Sequence, residues 1–236
     1  MRIATYLNTT PDEVQKKSHN IWLGISLGNK YFTKENIAEY IKWAMNNTKN
    51  EVLVVIADAL HAVNLEVLDK RSPEHALRKA MKIGDDKDRE IREIIATLQP
   101  NDRNKVRLVR WDDVTQNEIY KYNLKAIKDE FVSDKEFHDF MTNIVVDGRN
   151  DRTASISKMS REELDRLSDY VLYELPLFVN GVHIQGSDLV YTLLPYPGLN
   201  KLDDLSIGLS NRTMFPHLAE KLHLSNHIGI VEAYTD

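Results

Sequence analysis

Residues 20–26 read Asn20-Ile21-Trp22-Leu23-Gly24-Ile25-Ser26, and residues 51–57 read Glu51-Val52-Leu53-Val54-Val55-Ile56-Ala57. The second stretch is a near-continuous aliphatic run, the pattern of a strand covered on both faces by helices. The first is a short apolar run that stops at a glycine-containing turn. After it, Thr33 opens a helical pattern with Ile37, Ile41 and Ala44 on one face. Strand, turn, helix and strand in that order begin a parallel sheet. Working outward, residues 106–109 form a third candidate strand, and residues 178–182, 189–194 and 228–231 form later ones. Ser160 with Glu163 is a capping-box signature ahead of Leu164, Leu167 and Val171 at helical spacing. The alternation predicts an α/β fold, a single domain over residues 1–236 with a mainly parallel sheet flanked by helices. Reactive groups are expected at the carboxyl ends of the strands.

Composition narrows the chemistry. The 236 residues are 42% hydrophobic and 28% charged, the balance of a globular chain. Cysteine is absent, which excludes disulfides, thiolate zinc sites and a cysteine nucleophile. The sequence has no run of about 18 apolar residues and a polar start, so neither a membrane span nor a signal peptide is expected, and cytoplasm is the default location. Without a G-x-G-x-x-G or P-loop pattern, no nucleotide cofactor is expected, and no metal site is called for. The net charge of -5 conceals an asymmetry, because residues 70–110 carry twelve Lys/Arg against seven Asp/Glu.

Gly24-Ile25-Ser26-Leu27-Gly28 fits G-x-S-x-G, in which glycines permit a tight turn that exposes a serine hydroxyl. The pattern is short, and a plain strand-to-helix turn is an open alternative. A standard α/β-hydrolase is disfavoured, since only 23 residues precede Gly24 and that fold needs several strands before its serine. A serine esterase using one of the eight histidines, among them His183, His217 and His227, remains the other enzymatic reading. Tyr170 and Glu174 stand four apart, so on a helix they share a face and can converge on one ammonium group. Pro176 places Glu174 near a helix end, where the helix dipole makes its carboxylate a better base. Alternation along the first strand turns Trp22, Gly24 and Ser26 to one side and Ile21, Leu23 and Ile25 to the other. Trp22 therefore lines the pocket beside Ser26, and Asp58 adds a polar group at its rim. The bulk and N–H of Trp22 suit a polar, aromatic or charged group beside Ser26 rather than a leucine side chain.

These residues carry a resemblance. Gly24-Ile25-Ser26-Leu27-Gly28-Asn29-Lys30-Tyr31-Phe32 resembles the first signature of the cyclodipeptide synthases, with its G-[IV]-S, an Asn three residues after the Ser and a following aromatic pair. Tyr170-Val171-Leu172-Tyr173-Glu174-Leu175-Pro176 resembles their Y-x-x-x-E-x-P motif, and Leu189-Val190-Tyr191 resembles the segment with their third functional tyrosine. Thr192 departs from the His or Pro usual after that tyrosine, and Leu27-Gly28 is less bulky than the pair often found there. The resemblance implies a Rossmann-like domain similar to class I aminoacyl-tRNA synthetase catalytic domains. It also implies an enzyme that makes a cyclic dipeptide from two aminoacyl-tRNAs by ping-pong catalysis, without ATP. Ser26 is then the nucleophile that carries an aminoacyl and later a dipeptidyl group, and Glu174 with Tyr170 binds the first amino group. Tyr191 holds or relays a proton, and Asn29 orients the acyl group or the second substrate. To the substrate pocket are assigned Trp22, Gly24, Asp58, Tyr120, Leu177, Leu189 and Thr192. A monomer suffices for this chemistry, and a non-catalytic tRNA-binding relative is the remaining alternative.

Arg78, Lys82, Arg89 and Arg92 trace one stripe if residues 76–98 are helical, with Lys79 and Lys87 beside it. Asp85, Asp86, Asp88 and Glu90 are interspersed, as on an ordinary solvated face, but the resemblance implies that a basic helix here meets tRNA. Two further fragments imitate synthetase signatures, Ser157-Lys158-Met159-Ser160 and His227-Ile228-Gly229-Ile230. Their order is inverted relative to a class I synthetase, so they read as a helix cap and a final strand.

Overall fold

The two aliphatic runs pair as parallel neighbours, with Gly24 opposite Val55 and Ile25 opposite Ile56 in the computed structural model, which describes residues 1–148, 156, 158–225 and 228–235. Ser157 and His227 of the two synthetase-like fragments lie outside the described residues. From the amino end come β1 (Arg2–Leu7), α1 (Pro11–Gln15), β2 (Asn20–Ile25), α2 (Lys34–Asn47) and β3 (Val52–Ile56). Then follow α3 (Asp58–Val67), α4 (Pro73–Thr97), α5 (Pro100–Arg103), β4 (Val106–Arg110) and α6 (Trp111–Thr115). The second half contributes α7 (Glu118–Ser133), α8 (Lys135–Asp147), α9 (Arg161–Asn180), β5 (Val182–His183) and β6 (Val190–Tyr196). It closes with α10 (Lys201–Ser210), α11 (Pro216–Lys221) and β7 (Gly229–Tyr234).

The strands form one sheet in the order β1-β7-β6-β2-β3-β4, with β5 beside β6. Strands β7, β6, β2, β3 and β4 are mutually parallel, while β1 and β5 attach antiparallel to β7 and β6. All five residues of β3 are buried, as its unbroken aliphatic run requires. Alternation then sorts the side chains between two helical layers. Ile21, Leu23, Ile25, Val52, Val54 and Ile56 pack on Ile37, Ile41 and Ala44 of α2 and on Ile91 and Ile94 of α4. Trp22, Leu53, Val55 and Val109 face the opposite layer, where α8 and α9 supply Phe137, Met141, Leu167 and Leu175. Among the described residues no helix is long and apolar enough to cross a membrane.

Local chemistry starts the helices where the sequence indicates. The Thr33 side chain accepts from the Asn36 N–H at the start of α2. Ser160 and Glu163 form the reciprocal capping box of α9, at 3.2 and 2.9 Å. Three segments differ from expectation. Residues 178–180 complete α9 rather than begin a strand, because the helix runs through Pro176, whose missing N–H removes one backbone bond without ending it. Leu175, Leu177 and Val179 are buried on both sides of the proline, so packing holds the helix there, and Glu174 lies six residues inside its end. Strand β6 continues two residues beyond 194, to Tyr196. The edge strand β1 had no expectation at all, since its mixed, half-exposed side chains lack a periodic signature.

A buried ion pair ties β4 to α3 and α4. Asp58 is 1% exposed and accepts from Arg110 Nε, from the Ala59 N–H at 2.8 Å and from the Trp111 N–H at 3.3 Å. Arg110 also reaches Asp85 at 2.9 Å and the Met81 carbonyl at 3.3 Å. Helix α4 can approach this closely because residue 84 is glycine: a Cβ there would stand 2.6 Å from both Asp58 Cβ and Arg110 Nη2. Gly84→Ala should therefore lower stability by about 1–3 kcal/mol through overpacking, although alanine is the better helix former. Urea unfolding that finds the variant as stable as the parent would refute this account.

Candidate active site

Parallel strands β2 and β6 are neighbours, yet the chain leaves β2 toward β3 and leaves β6 toward β7, on the other side. Such a reversal opens a crevice at the carboxyl ends of the two strands. Ser26 is the first residue beyond β2 and Tyr196 the last of β6, so both stand at its mouth. A turn closed by the Asn29 N–H on the Ser26 carbonyl, 3.2 Å, presents the serine. Helix α9 crosses above, and its Tyr170 hydroxyl lies 3.3 Å from Ser26 Oγ.

The crevice holds a partly enclosed cleft. Its floor comes from Trp22, Gly24, Val55 and Ala57, and its walls from Trp111, Leu177, Phe178, Leu194 and Leu202. The polar groups that enter it are Ser26, Glu174, Tyr196, Asn200 and Asp203. A mostly apolar cleft with few convergent polar groups suits a small side chain next to a polar centre. The Trp22 indole stands edge-on to Phe178, with ring centroids 5.9 Å apart, and its Nε1 is buried without a hydrogen-bond partner. Gly24 makes room for that indole, since a Cβ there would lie 3.1 Å from Trp22 Cζ3.

Tyr196 links the polar groups. Asn29 Nδ2 donates to its hydroxyl at 3.4 Å, while Asn29 Oδ1 accepts from the Tyr31 N–H at 2.9 Å. Burial above all, with Glu174 and Asp203 adding to it, pushes the phenol up to about 12 against hydrogen bonds with Asn29 and Ser26 that oppose the shift. Asp203 is 3% exposed, and burial pushes its carboxyl up to about 7. Histidine is absent from the described residues lining the cleft, and among the described residues no three His, Asp or Glu side chains are grouped as metal ligands.

The structure therefore brings together Ser26, Asn29, Tyr170, Glu174, Trp22, Gly24 and Leu177, but not the other assigned residues. Tyr191 pairs with Asn20, at the amino end of β2, and its hydroxyl donates to Glu51 Oε1. At about 3.3 Å per residue it lies roughly 16 Å along the strand from Tyr196. Thr192 is at that same far end, 2.9 Å from His19 Nδ1, and Leu189 precedes the strand there. Asp58 is consumed by Arg110 and backbone donors and does not line the cleft. Tyr120 donates to the Tyr173 carbonyl at 3.0 Å, supporting α9 one turn before Pro176. The sequence reading missed Tyr196, Asn200 and Asp203. One signal was present, because Tyr196 is followed by Pro197, the residue that the family resemblance asks for and Thr192 does not supply.

Helix α4 carries the basic stripe. Arg78, Lys82, Arg89 and Arg92 are exposed, and three of them pair with acidic neighbours on the same helix: Glu74, Asp86 and Asp88. Lys79 lies 3.6 Å from Asp69. Lys87 turns inward, donating to the Phe32 carbonyl at 3.1 Å and to Glu90 at 2.9 Å, so it anchors the loop after Ser26 instead of joining the outer face.

The fold is similar to several solved structures. A cyclodipeptide synthase from Bacillus thermoamylovorans superposes with a TM-score of 0.74 at 23% identity, over 95% of this chain and 92% of that one. A Mycobacterium tuberculosis protein, described as demonstrating that cyclodipeptide synthetases are related to type I tRNA synthetases, gives 0.70 at 22% identity, over 97% and 91%. A cyclodipeptide synthase from Candidatus Glomeribacter gigasporarum bound to Phe-tRNA gives 0.58 at 17% identity, over 92% and 88%. No curated protein matches the sequence. The cyclodipeptide synthase family model, however, matches residues 4–212, nearly the whole length that holds the crevice and its motifs, and the chain belongs to that enzyme family.

Proposed function

We propose that the protein joins two amino acids delivered by aminoacyl-tRNAs into a cyclic dipeptide, through an acyl-enzyme on Ser26. The observation that carries this reading is the Ser26 hydroxyl at the strand switch point, within 3.3 Å of the Tyr170 hydroxyl and in the cleft that Glu174 enters. An activated ester needs a positioned hydroxyl and a way to handle protons, not a histidine triad. Ser26 Oγ attacks the ester carbonyl of the first aminoacyl-tRNA. The new Oγ–C bond replaces the C–O bond to the ribose, and the serine proton leaves with the ribose hydroxyl.

Glu174 and Tyr170, on one face of α9, hold the α-ammonium of the bound residue, and Glu174 accepts its proton. The free amine attacks the ester of the second aminoacyl-tRNA, forming the peptide bond and releasing the second tRNA. The amine of the second residue then attacks the carbonyl on Ser26, which breaks the Oγ–C bond and closes the ring. Tyr196 replaces Tyr191 as the phenol that relays protons, since it hydrogen-bonds Asn29 and lies beside Ser26 and Glu174. Trp22, Gly24 and Leu177 line the pocket for the first side chain. The exposed pairs on α4 are each worth about 0–1 kcal/mol, so Arg78, Lys82, Arg89 and Arg92, with Lys79 at their side, exchange their carboxylates for tRNA phosphates at little cost. A monomer in the cytoplasm, where aminoacyl-tRNA is available, completes the proposal. The esterase alternative is weakened by the absence of histidine among the described residues of the cleft.

Ser26→Ala should abolish labelling by radiolabelled aminoacyl-tRNA and lower cyclic dipeptide formation by roughly 10³-fold or more. A variant that retains product would rule out the acyl-enzyme. Tyr170→Phe and Glu174→Gln should each lose about 10–100-fold, the worth of a charge-assisted hydrogen bond. The tyrosines separate cleanly. Tyr196→Phe should slow turnover by roughly 10² or more, whereas Tyr191→Phe should retain the rate and cost about 1–3 kcal/mol in unfolding, by leaving Glu51 without its donor. Equal kinetic losses would restore Tyr191 to the mechanism. Replacing Arg78, Lys82, Arg89 and Arg92 with glutamate should raise KM for aminoacyl-tRNA and flatten its dependence on salt, as counterion release requires. An unaltered salt slope would return α4 to a solvated face.

A further inference from the structure

The mechanism above handles two amines, while Glu174 and Tyr170 account for one. Asp203 lines the same cleft as Ser26 and Glu174, yet it is 3% exposed and has no cationic partner among the described residues. Its fixed contact is Oδ2, which accepts the Asn200 N–H at 2.7 Å in the capping box of α10. The other two buried carboxylates among the described residues are matched: Asp58 has Arg110, and Glu130 has Lys221 at 2.7 Å. A carboxylate removed from water without a counter-charge is costly unless a ligand supplies the charge.

We infer that Asp203 is the binding residue for a second protonated amine of the substrates, distinct from the one held by Glu174. This rests on the proposed reaction at Ser26. Two sources can present that chemistry: the α-ammonium of the second aminoacyl residue, or the basic side chain of an incorporated lysine, arginine or histidine. The surroundings fit either. Asp204 on the same helix and Glu232 on β7 are the charged neighbours, and both are acidic, so the region attracts a cation. Burial, with those neighbours, holds the carboxyl near neutrality, which lets it take a proton from an ammonium and return it. Tyr196 lines the same cleft and feels both Asp203 and Glu174. In ring closure the amine that attacks the Ser26 ester surrenders one proton, the N–C bond forms, the C–Oγ bond breaks, and Oγ regains a proton.

The test compares the full-length parent with Asp203→Asn, in which the amide oxygen still accepts the Asn200 N–H and only the charge is lost. Radiolabelled leucyl-, phenylalanyl-, lysyl-, arginyl- and histidyl-tRNA are supplied. Aminoacyl-enzyme is trapped by acid quench, and products are read by mass spectrometry. If Asp203 receives the α-ammonium, the variant forms aminoacyl-enzyme normally and loses about 10–100-fold in cyclic product with every amino acid. If it receives a side chain, the loss is confined to products containing lysine, arginine or histidine. Unchanged rates and products would overturn the inference while leaving Ser26 in place, and so would loss of aminoacyl-enzyme with every tRNA, which makes Asp203 a support of the cleft. Failure of the parent itself to form aminoacyl-enzyme would overturn both readings.

Discussion

No chain connection crosses the gap between the carboxyl ends of β2 and β6, and the cleft that Ser26, Glu174, Tyr196 and Asp203 line depends on that gap. A parallel sheet is covered on both faces and offers few openings; the reversal of strand order supplies one. Ser26 and Tyr196 enter it from the two strands that flank it, while Tyr170 and Glu174 reach it from α9 above. Their mutual placement follows from the parallel register of β2 with β3 and β6 and from the packing of α9 on the sheet. The loop after Ser26 is held in turn by Lys87 on the Phe32 carbonyl, so the same α4 that bears the basic stripe also braces the turn that presents Ser26.

The central strands were legible because burial on both faces writes an uninterrupted aliphatic run, and β3 is such a run. Helices α2 and α9 were legible at their starts because Thr33 and the Ser160–Glu163 pair satisfy exposed N–H groups by side chains close in sequence. The end of α9 was not. Pro176 speaks for termination locally, and only the apolar residues on its far side, Leu177 and Val179, pay for continuing the helix by their burial. Strand β1 joins the sheet through contacts with β7, more than two hundred residues away, and nothing in a short window announces such a pairing.

Tyr191 was assigned from the likeness of Leu189-Val190-Tyr191 to a family segment, and the strand sets that tyrosine at the end away from the crevice. Asn20 pairs with Tyr191 and Ile21 with Leu193, so Thr192 is an extra residue in β6 at that step. A bulge of this kind resets the two-residue alternation. Tyr191 and Leu194 consequently join the cluster under α9 although they are three apart, while Leu193 joins the opposite layer. Tyr191 and Tyr196 thus occupy opposite ends of one strand without the simple parity that would have separated them. Strict alternation has no means of locating the bulge, and a likeness confined to three residues does not say how far along the strand their tyrosine stands.

Charge is divided in the same molecule between two demands. Twelve basic residues in residues 70–110 are set against a remainder that is strongly acidic, and the acidic remainder includes the carboxylates of the cleft. An aminoacyl-tRNA is itself divided in this way, polyanionic along its backbone and cationic at the α-amine of its acylated end. A uniformly basic protein would hold the nucleic acid but repel the amine from the reacting centre; a uniformly acidic one would do the reverse. Salt screens exposed charges over about 8 Å, so the stripe on exposed α4 is damped more strongly than the carboxylates that enter the crevice. The interspersed acids of α4, paired with Arg78, Arg89 and Arg92, moderate the stripe, so its field is weaker than its count of basic residues implies.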